Sequence, residues 1–204
     1  MAFVNDRDRA AIRAAIGTAE AKTCGEIVCV ITGACDSYLF IPTLWAAGVA
    51  LGVPVAALAI WDALTPQVYL AQLLTFLVLS LAARWRPLTM FVVPGRVAHH
   101  RAAARARVEF LERGVSETDN RCGILIFVSI AERYVEIIAD KGIYEKVTPD
   151  VWEQAVDKLL KGIRSGQIGD GFVAAIEDCG RVLQQHFPRQ GGEIDELPNH
   201  LFEI

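Results

Sequence analysis

Two long stretches without a charged side chain occupy the middle of this chain of 204 residues. Asp62 is the only charged residue in 37–83, and it separates a run at 37–61 from a run at 63–83. A helix needs about 20 apolar residues to cross roughly 30 Å of hydrocarbon, so each run is long enough to span a membrane. The alternative is a buried hairpin in a soluble core, but the rest of the chain is too small to wrap two helices that are apolar all round. The sequence therefore predicts a two-helix transmembrane hairpin over 37–83, with its tip near Asp62.

The arginines that follow the second run predict the orientation of the hairpin. Residues 84–107 contain six arginines and no acidic residue, whereas the hairpin tip carries an acid and no base. Lys and Arg near the ends of spans mark the cytoplasmic side. We therefore expect a protein of the bacterial inner membrane with two spans and with both termini in the cytoplasm. The charged first 20 residues contain no apolar segment of the kind found in a signal peptide.

The same basic segment predicts contact with lipid headgroups. It carries a charge of +6 in a chain whose net charge is −4, so the remaining residues carry −10 (−4 minus 6). Juxtamembrane Lys and Arg attract anionic lipid, whereas nucleic-acid binding would call for interleaved aromatic residues or a recognition motif, which this segment lacks. We therefore predict no nucleic-acid partner. The residues expected to contact lipid headgroups are Arg84, Arg86, Arg96, Arg101 and Arg105.

Helical and strand patterns alternate on both sides of the hairpin. Short β-rich runs are bounded by glycine or polar turns, and the longer segments show apolar residues at helical spacing. This order predicts an α/β domain with helices on both faces of a small sheet, interrupted by the hairpin. The predicted strands are 26–32, 123–129 and 134–139, and the predicted helices are 6–22, 97–113, 148–163 and 169–187.

Three segments of the chain resemble the TPM domain family, in particular its bacterial membrane-bound branch. They are Gly-Glu-Ile-Val-Cys-Val at 25–30, Thr-Asp-Asn-Arg-Cys-Gly-Ile-Leu-Ile-Phe-Val-Ser at 118–129, and Glu-Arg-Tyr-Val-Glu-Ile-Ile-Ala-Asp-Lys-Gly-Ile at 132–143. The resemblance implies a three-layer α/β/α sandwich around a small mixed sheet of about four strands. It divides the chain into 1–36 and 97–188 as two parts of one TPM-like domain, the hairpin 37–83, a basic juxtamembrane segment 84–96 and an acidic tail 189–204.

The family resemblance also implies a candidate site for Ca²⁺ or Mg²⁺, because some family members bind divalent cations and show weak phosphatase activity. Asp119 and Asn120 precede one strand, Glu26 begins another, and Asp140 follows a third. Oxygen ligands of this kind suit hard cations. The alternative is that Asp119 and Asn120 simply form turns, which their short polar side chains favour. The chain shows no Ser-His-Asp, Cys-His or paired-carboxylate pattern that would name a nucleophile or a general base.

The remaining motifs bear on association. Gly48 and Gly52 form a small-xxx-small pattern that either packs the hairpin or joins two copies of the chain. The five cysteines include no C-x-x-C pair, so neither a structural disulfide nor a zinc site is expected in a reducing compartment. The acidic tail is predicted to be either a flexible end or a docking segment.

These observations leave two function classes open. The first is a membrane-anchored, cytoplasmic TPM-like domain that acts as an interaction or maintenance module for other membrane proteins, with a lipid bilayer and an unidentified membrane protein as partners. The alternative is a divalent-cation-dependent hydrolase with weak phosphatase-like activity. A transporter is not expected, because neither apolar run contains an ionisable residue.

Overall fold

The computed structural model describes residues 3–61, 65–85, 90–118, 120–189 and 196–204. The chain divides into two compact units, an α/β unit made of Met1–Cys35 with His99–Ile204, and a hairpin unit made of Asp36–Ala98. The helices, in chain order, are α1 (Asp6–Glu20), α2 (Phe40–Trp61), α3 (Pro66–Ala82), α4 (Gly95–Glu112), α5 (Lys141–Tyr144), α6 (Glu153–Arg164) and α7 (Ile168–His186). The strands are β1 (Glu26–Thr32), β2 (Gly123–Ser129), β3 (Tyr134–Ala139) and β4 (Leu201–Glu203). Two 3₁₀ turns lie at Val115–Glu117 and Pro149–Trp152.

The four strands form one mixed sheet in the order β3-β2-β1-β4. Strand β1 runs parallel to β2, from the pair Glu26 and Gly123 to the pair Thr32 and Ser129. Strand β3 returns antiparallel to β2, and the short β4 lies parallel to β1 on its other side. The prediction that the N-terminal strand joins the two later strands, across the intervening hairpin, is therefore confirmed.

Alternation along β1 and β2 divides the core into two layers. Ile27, Cys29 and Ile31 belong to the larger cluster, in which α1, α6 and α7 bury their apolar faces. Val28 and Val30 point to the opposite face and join a smaller cluster with Ala106 of α4, Val115, Leu125 and Phe127. Because both faces are covered, all seven residues of each of these strands are buried. This explains why the two strands read as continuous apolar runs rather than alternating ones.

Glycines allow the three helices of the larger layer to approach one another closely. A Cβ atom at Gly180 of α7 would lie 2.7 Å from the Ala19 Cβ of α1. A Cβ at Gly162 of α6 would lie 2.7 Å from the Gly171 Cα of α7. The glycine-rich segment around 166–171 is thus a connection between packed helices.

The hairpin unit consists mainly of α2 and α3, which pack on each other. Within the described residues, one helix is long and apolar enough to cross a membrane by length and composition, over Phe40–Ile60. The second predicted span, 63–83, is corrected by the structure to a 17-residue helix, Pro66–Ala82, of about 25 Å at 1.5 Å per residue. Its length falls short because Pro66 sits at the first helical position after the Thr65 N-cap, and the helix ends before Ala83. The predicted tip at Asp62 lies outside the described residues.

Small residues, but not the predicted glycines, make the contact face of the hairpin helices. Ala46, Ala50 and Ala57 of α2 are buried, whereas Gly48 and Gly52 are exposed and have open space where a Cβ would be. The small-xxx-small pattern is therefore not used for packing inside the hairpin. It faces outward on α2.

The described part of the acidic tail, 196–204, folds against its own domain. Residues Leu201–Glu203 form β4, and the Glu203 carboxylate accepts hydrogen bonds from the backbone N–H of Phe3 (3.0 Å) and from Arg9 Nε (2.9 Å). The guanidinium of Arg113 lies 3.9 Å from the ring centroid of Phe202. The tail thus supplies the fourth strand of the sheet. The two arginines that contact this strand, Arg9 and Arg113, lie outside the basic segment 84–107.

Candidate functional site

The register of the sheet brings two of the predicted carboxylates to one edge. Glu26 starts β1 opposite Gly123, the first residue of β2. On the other side of β2, the backbone N–H of Asp140 donates to the Gly123 carbonyl at 2.8 Å. Glu26 and Asp140 therefore flank β2 from opposite sides, at about two strand spacings, or roughly 9 to 10 Å. This places them on a common edge without direct contact.

Asp140 has a clear structural role at this edge. Its Oδ1 accepts the N–H of Lys141 at 2.6 Å, and the residue serves as the N-cap of the short helix α5. Asp140 is only 5% exposed, and its Oδ2 is buried without a hydrogen-bond donor among the described residues. Buried carboxylate oxygens of this kind are usually bound by an ordered water molecule or an ion.

Glu26 faces a small polar cavity on the β1 side of the edge. The cavity has a volume of about 100 Å³, and Glu26 Oε1 accepts the backbone N–H of Glu196 at 3.2 Å. Glu20 anchors the same region, because its Oε1 accepts the N–H of Ile27 at 2.8 Å. The side chains that line the cavity are those of Glu20, Thr23, Cys24, Glu26, Asn120, Arg189, Glu196 and Asn199, together with Gly17 and Ala21.

The structure assembles the predicted cation site only in part. Asn120 lines the cavity with Glu26, whereas Asp140 does not, and Asp119 lies outside the described residues. Across the ranges that the structure describes, no three His, Cys, Asp or Glu side chains are grouped so that they could hold a metal ion. Because Ca²⁺ takes six to eight oxygen ligands, the donors present here suit weak binding completed by backbone carbonyls and water.

Two cysteines lie beside the cavity. Cys24 is half-buried in the turn after α1, and Cys122 is buried directly before β2. Burial, together with the adjacent Cys24, raises the pKa of the Cys122 thiol to about 12. The Cys122 thiol donates to the carbonyl of Asn120 at 3.0 Å, which ties it to the loop that contains the predicted ligands.

A buried polar cluster at the opposite end of β1 and β2 was not predicted from the sequence. Glu132 is only 5% exposed, and it accepts hydrogen bonds from the Ser129 hydroxyl and from the backbone N–H of Cys35 (2.9 Å). Burial, as the largest cause, raises the pKa of the Cys35 thiol to about 11. The sequence suggests an ordinary charged turn at Glu132-Arg133, but in the structure Glu132 is buried and Arg133 has a positive φ of 51°.

The arginines predicted to contact lipid headgroups fall into different environments. Arg84, Arg96 and Arg101 are exposed, and Arg86 lies outside the described residues. Arg105 instead forms an ion pair at 2.5 Å with Glu109, a carboxylate that is fully buried and also contacts Arg113 at 3.1 Å. The positive charge of Arg105 is therefore paired with Glu109 within the α/β unit.

Comparison with known proteins gives a partial match to one family model and a solved structure with a similar fold. Residues 89–182 match the model of the TPM domain. The matched part contains α4, strands β2 and β3, helices α5 and α6, and α7 as far as residue 182. The solved structure of the BA42 protein from the psychrophilic bacterium Bizionia argentinensis superposes with a TM-score of 0.62 at 21% identity, covering 100% of this chain and 97% of that one. At this identity the likeness concerns the fold alone. Comparison with curated proteins gives no match.

Proposed function

We propose that this chain is a membrane-anchored module in which a TPM-like α/β domain is held at the cytoplasmic face of a bacterial inner membrane by the hairpin 37–83. In this proposal the domain binds other membrane proteins and assists their assembly or maintenance. The observation that carries the proposal is the apolar surface of the hairpin helices. The interaction role rests further on the small size of the polar cavity beside Glu26.

The apolar surface of the hairpin is suited to lipid. Most of the exposed large hydrophobic side chains in the described part of the chain lie in 39–91, with Leu44 72%, Trp45 63%, Leu81 71% and Phe91 89% exposed. In the candidate span of α2, only 17% of the most apolar window is buried. Soluble monomers rarely expose contiguous apolar patches larger than a few hundred Å². A bilayer would cover this surface and remove it from water.

A two-pass arrangement is compatible with the shorter second helix. A span of about 17 residues is at the lower limit for crossing the hydrocarbon core, and a short span is accommodated by local thinning of the bilayer or by snorkelling of flanking side chains. The exposed Arg84 and Arg96 follow α3 closely in the chain, where such side chains reach anionic headgroups. A return of α3 to the side from which α2 started would keep both termini in the cytoplasm.

Membrane insertion of α3 is tested by a charge placed on its exposed apolar face. The variant Leu73→Arg introduces a cost of about 2.5 to 3.5 kcal/mol at the centre of a span, whereas Leu111→Arg places the same charge on an exposed position of α4. We expect carbonate-resistant membrane association to fall for Leu73→Arg and to stay unchanged for the matched Leu111→Arg control. Equal extraction of the two variants would contradict insertion of α3.

The topology is tested by cysteine labelling in cells, on a background from which the native cysteines have been removed. We expect a cysteine at position 62 to react with a membrane-impermeant reagent, and cysteines at positions 5 and 200 to be protected. The reverse pattern would contradict the proposed orientation.

Catalysis at the Glu26 edge is disfavoured by the size of the polar cavity there. Small-molecule sites usually have volumes of about 300 to 1,000 Å³, whereas the cavity beside Glu26 has about 100 Å³. It has room for an ion or a few water molecules but not for a phosphoester substrate.

The proposed partners are tested by purification in mild detergent followed by mass spectrometry. We expect membrane proteins to copurify with the full chain and not with a fragment limited to 37–96, which retains the anchor without the α/β domain. Recovery of the same proteins with both would assign the binding to the hairpin and contradict the module proposal.

The second candidate function is a divalent-cation-dependent hydrolase. It is favoured by Glu26 and Asp140, two buried carboxylates on one sheet edge, and by the Asp140 Oδ2, which has no hydrogen-bond partner among the described residues. With two carboxylates, we expect a dissociation constant for Ca²⁺ no tighter than roughly 10⁻⁴ M. Calorimetry with Ca²⁺, Mg²⁺ or Mn²⁺ on the native chain and on Asp119→Ala and Asp140→Asn tests it. Binding heat that is absent, or that both substitutions leave unchanged, would remove the hydrolase candidate.

A further inference from the structure

A groove lies between the N-terminal half of α1 and the short strand β4. It has a volume of about 590 Å³, and its walls include Ala10, Arg13 and Ala14 on the helix and Leu201 on the strand. A second cavity of about 530 Å³ adjoins it, since Arg13 and His200 line both. The three helix residues are exposed, so the space is an open trough. Small-molecule sites bury most of their ligand, whereas a trough of this kind suits a segment of polypeptide chain.

Strand β4 has a free edge beside this groove. Among the described residues it is the outermost strand of the sheet and pairs only with β1. The N–H of Ile204 donates to the Ile31 carbonyl at 3.0 Å, so the backbone N–H groups of Phe202 and Ile204 face β1. Those of Leu201 and Glu203 alternate with them and point away from β1. An edge of this kind is a template for one more strand.

The helix beside the edge leaves room for the side chains of an added strand. Ala10 and Ala14 lie four residues apart on one face of α1, and their short side chains leave the groove open. Leu201 is 8% exposed, and Glu203 is bound to Arg9, so the β4 side chains that face α1 are already packed. A strand next to β4 would direct every second side chain over the alanines. Backbone hydrogen bonds on one wall and space for alternate side chains on the other are the features with which sheet edges bind extended peptides.

Arg13 gives the groove its charge preference. Arg9 already holds two carboxylates, because its guanidinium lies 3.4 Å from Asp6 and 2.8 Å from Glu203. Arg13 has no ion pair or hydrogen bond from its side chain among the described residues. Asp6 is seven residues away, or about 10.5 Å along the helix, so it does not neutralise Arg13. His200 lines the same stretch and can donate a further hydrogen bond. The groove therefore complements an acidic side chain.

We propose that this groove binds an extended, acidic segment of a partner protein, which adds a fifth strand beside β4 and places a carboxylate against Arg13. The inference rests on the proposed interaction role of the α/β domain and names the surface that serves it. The groove lies wholly within the α/β unit. A second copy of this chain is a poorer occupant, because a two-fold contact through the same surface would bring the two Arg13 side chains together.

The test uses the full chain, immobilised in mild detergent and exposed to a library of seven-residue peptides with Glu fixed at the central position and the other positions random. A matched library carries Gln at the centre. We expect about tenfold greater retention of the Glu library, because its carboxylate forms a charged hydrogen bond with Arg13. The retained sequences should favour β-branched and aromatic residues at alternate positions. Equal retention of the two libraries, or retention of neither, would overturn the proposal.

Matched variants assign the charge contact. With the most strongly retained peptide labelled with fluorescein, Arg13→Gln should raise the dissociation constant about tenfold and remove the preference for Glu over Gln. Arg7→Gln is the control, because Arg7 is exposed on the same helix and lines neither cavity. It should bind the peptide as the native chain does. Equal weakening by the two substitutions would mean general attraction to a positive helix and would overturn the proposal.

Methylated peptides test the strand pairing. N-methylation of alternate amides removes the hydrogen-bond donors from one edge of an extended peptide and keeps every side chain. One of the two methylation patterns should abolish binding, and the other should leave it unchanged. Retained binding by both would rule out a fifth strand, and complete competition by free glutamate would assign the groove to a small molecule. A native dimer that Arg13→Gln converts to a monomer, measured by light scattering, would assign it to a second copy.

Copurification separates this inference from the proposed function. If the peptide binds as expected and no membrane protein copurifies, the proposed function fails while the groove remains a peptide site. If membrane proteins copurify equally with the native chain and with Arg13→Gln, the proposed function stands, and the groove is not the surface that binds them. Loss of the copurified proteins with Arg13→Gln, but not with Arg7→Gln, would support both.

Discussion

A methyl group added at Gly123 provides the sharpest test of the sheet edge. In the variant Gly123→Ala, the new Cβ would lie 2.2 Å from the carbonyl oxygen of Val115 and 2.6 Å from its Cγ1. Ordinary contact begins near 3.4 Å, so either the start of β2 or the 3₁₀ turn at Val115–Glu117 must shift by about 1 Å. Both are backbone elements, and a side-chain rotation cannot relieve the overlap.

The cost follows from what this shift disturbs. Overpacking in a well-packed region costs about 1 to 3 kcal/mol. The Gly123 carbonyl also accepts the N–H of Asp140 at 2.8 Å, and weakening that bond adds about 0.5 to 1.5 kcal/mol. We therefore expect Gly123→Ala to lower the free energy of unfolding by about 2 to 4 kcal/mol.

Gly17→Ala is the matched control. Gly17 lies inside α1, and a Cβ there meets nothing within 4 Å. Replacing glycine with alanine in a helix interior stabilises by about 0.5 to 1 kcal/mol, so the same chemical change should have the opposite sign. The assay is a urea series in one detergent, read by pulse proteolysis of the α/β unit. If Gly123→Ala unfolds at the urea concentration of the native chain or above it, the packing of Val115 against β2 is wrong.

Three further changes have predicted outcomes. Glu132→Gln should lower the free energy of unfolding by about 1 to 3 kcal/mol, because one of its two acceptor oxygens is lost beside the buried Ser129 hydroxyl; equal urea midpoints for Glu132→Gln and the native chain would contradict this. Asp140→Ala should cost about 0.5 to 2 kcal/mol through loss of the N-cap of α5, as measured by the same urea series, and an unchanged midpoint would argue against the cap. Burial raises the pKa of Cys35 from 9.0 to about 11, so the native state holds this proton more tightly than the unfolded chain does. The stabilisation is complete below pH 9 and decreases as the pH rises toward 11; Cys35→Ser should flatten that part of the stability-against-pH curve, and an identical slope would refute the assignment.

Local patterns were sufficient to predict most of the α/β unit. The strands at 26–32, 123–129 and 134–139 were predicted with the bounds that the structure shows, because short runs of β-branched and aliphatic residues between turn-forming residues indicate buried strands. Strand β4 was missed. Leu201–Glu203 is only three residues long, and its pairing with β1 and its contacts with Arg9 and Arg113 are tertiary features that no local pattern displays.

The candidate site was only partly predictable, because tertiary contacts bring some of its residues together. The strand ends at Glu26 and Asp140 were predicted from the strand bounds, and the structure places both at one edge of the sheet. The cavity, however, is built from Glu20, Arg189 and Glu196, whose positions depend on the end of α1 and on the tail. The length of α3 was overestimated because freedom from charge was taken as the measure of helix length, whereas Pro66 determines where the helix begins.

The order of the strands in the sheet also determines how long β1 stays without its neighbouring strands while the chain is being synthesised. Strand β1 leaves the ribosome early, but β2 follows 91 residues later (Gly123 minus Thr32) and β4 comes at the end of the chain. At about 5 to 20 residues per second, β1 waits roughly 5 to 20 seconds for β2 and several seconds more for β4. During that interval a strand that is buried along its whole length in the finished protein has neither of its neighbours. A nascent chain of this kind depends on the protection of its N-terminal 35 residues until the last strand has been made.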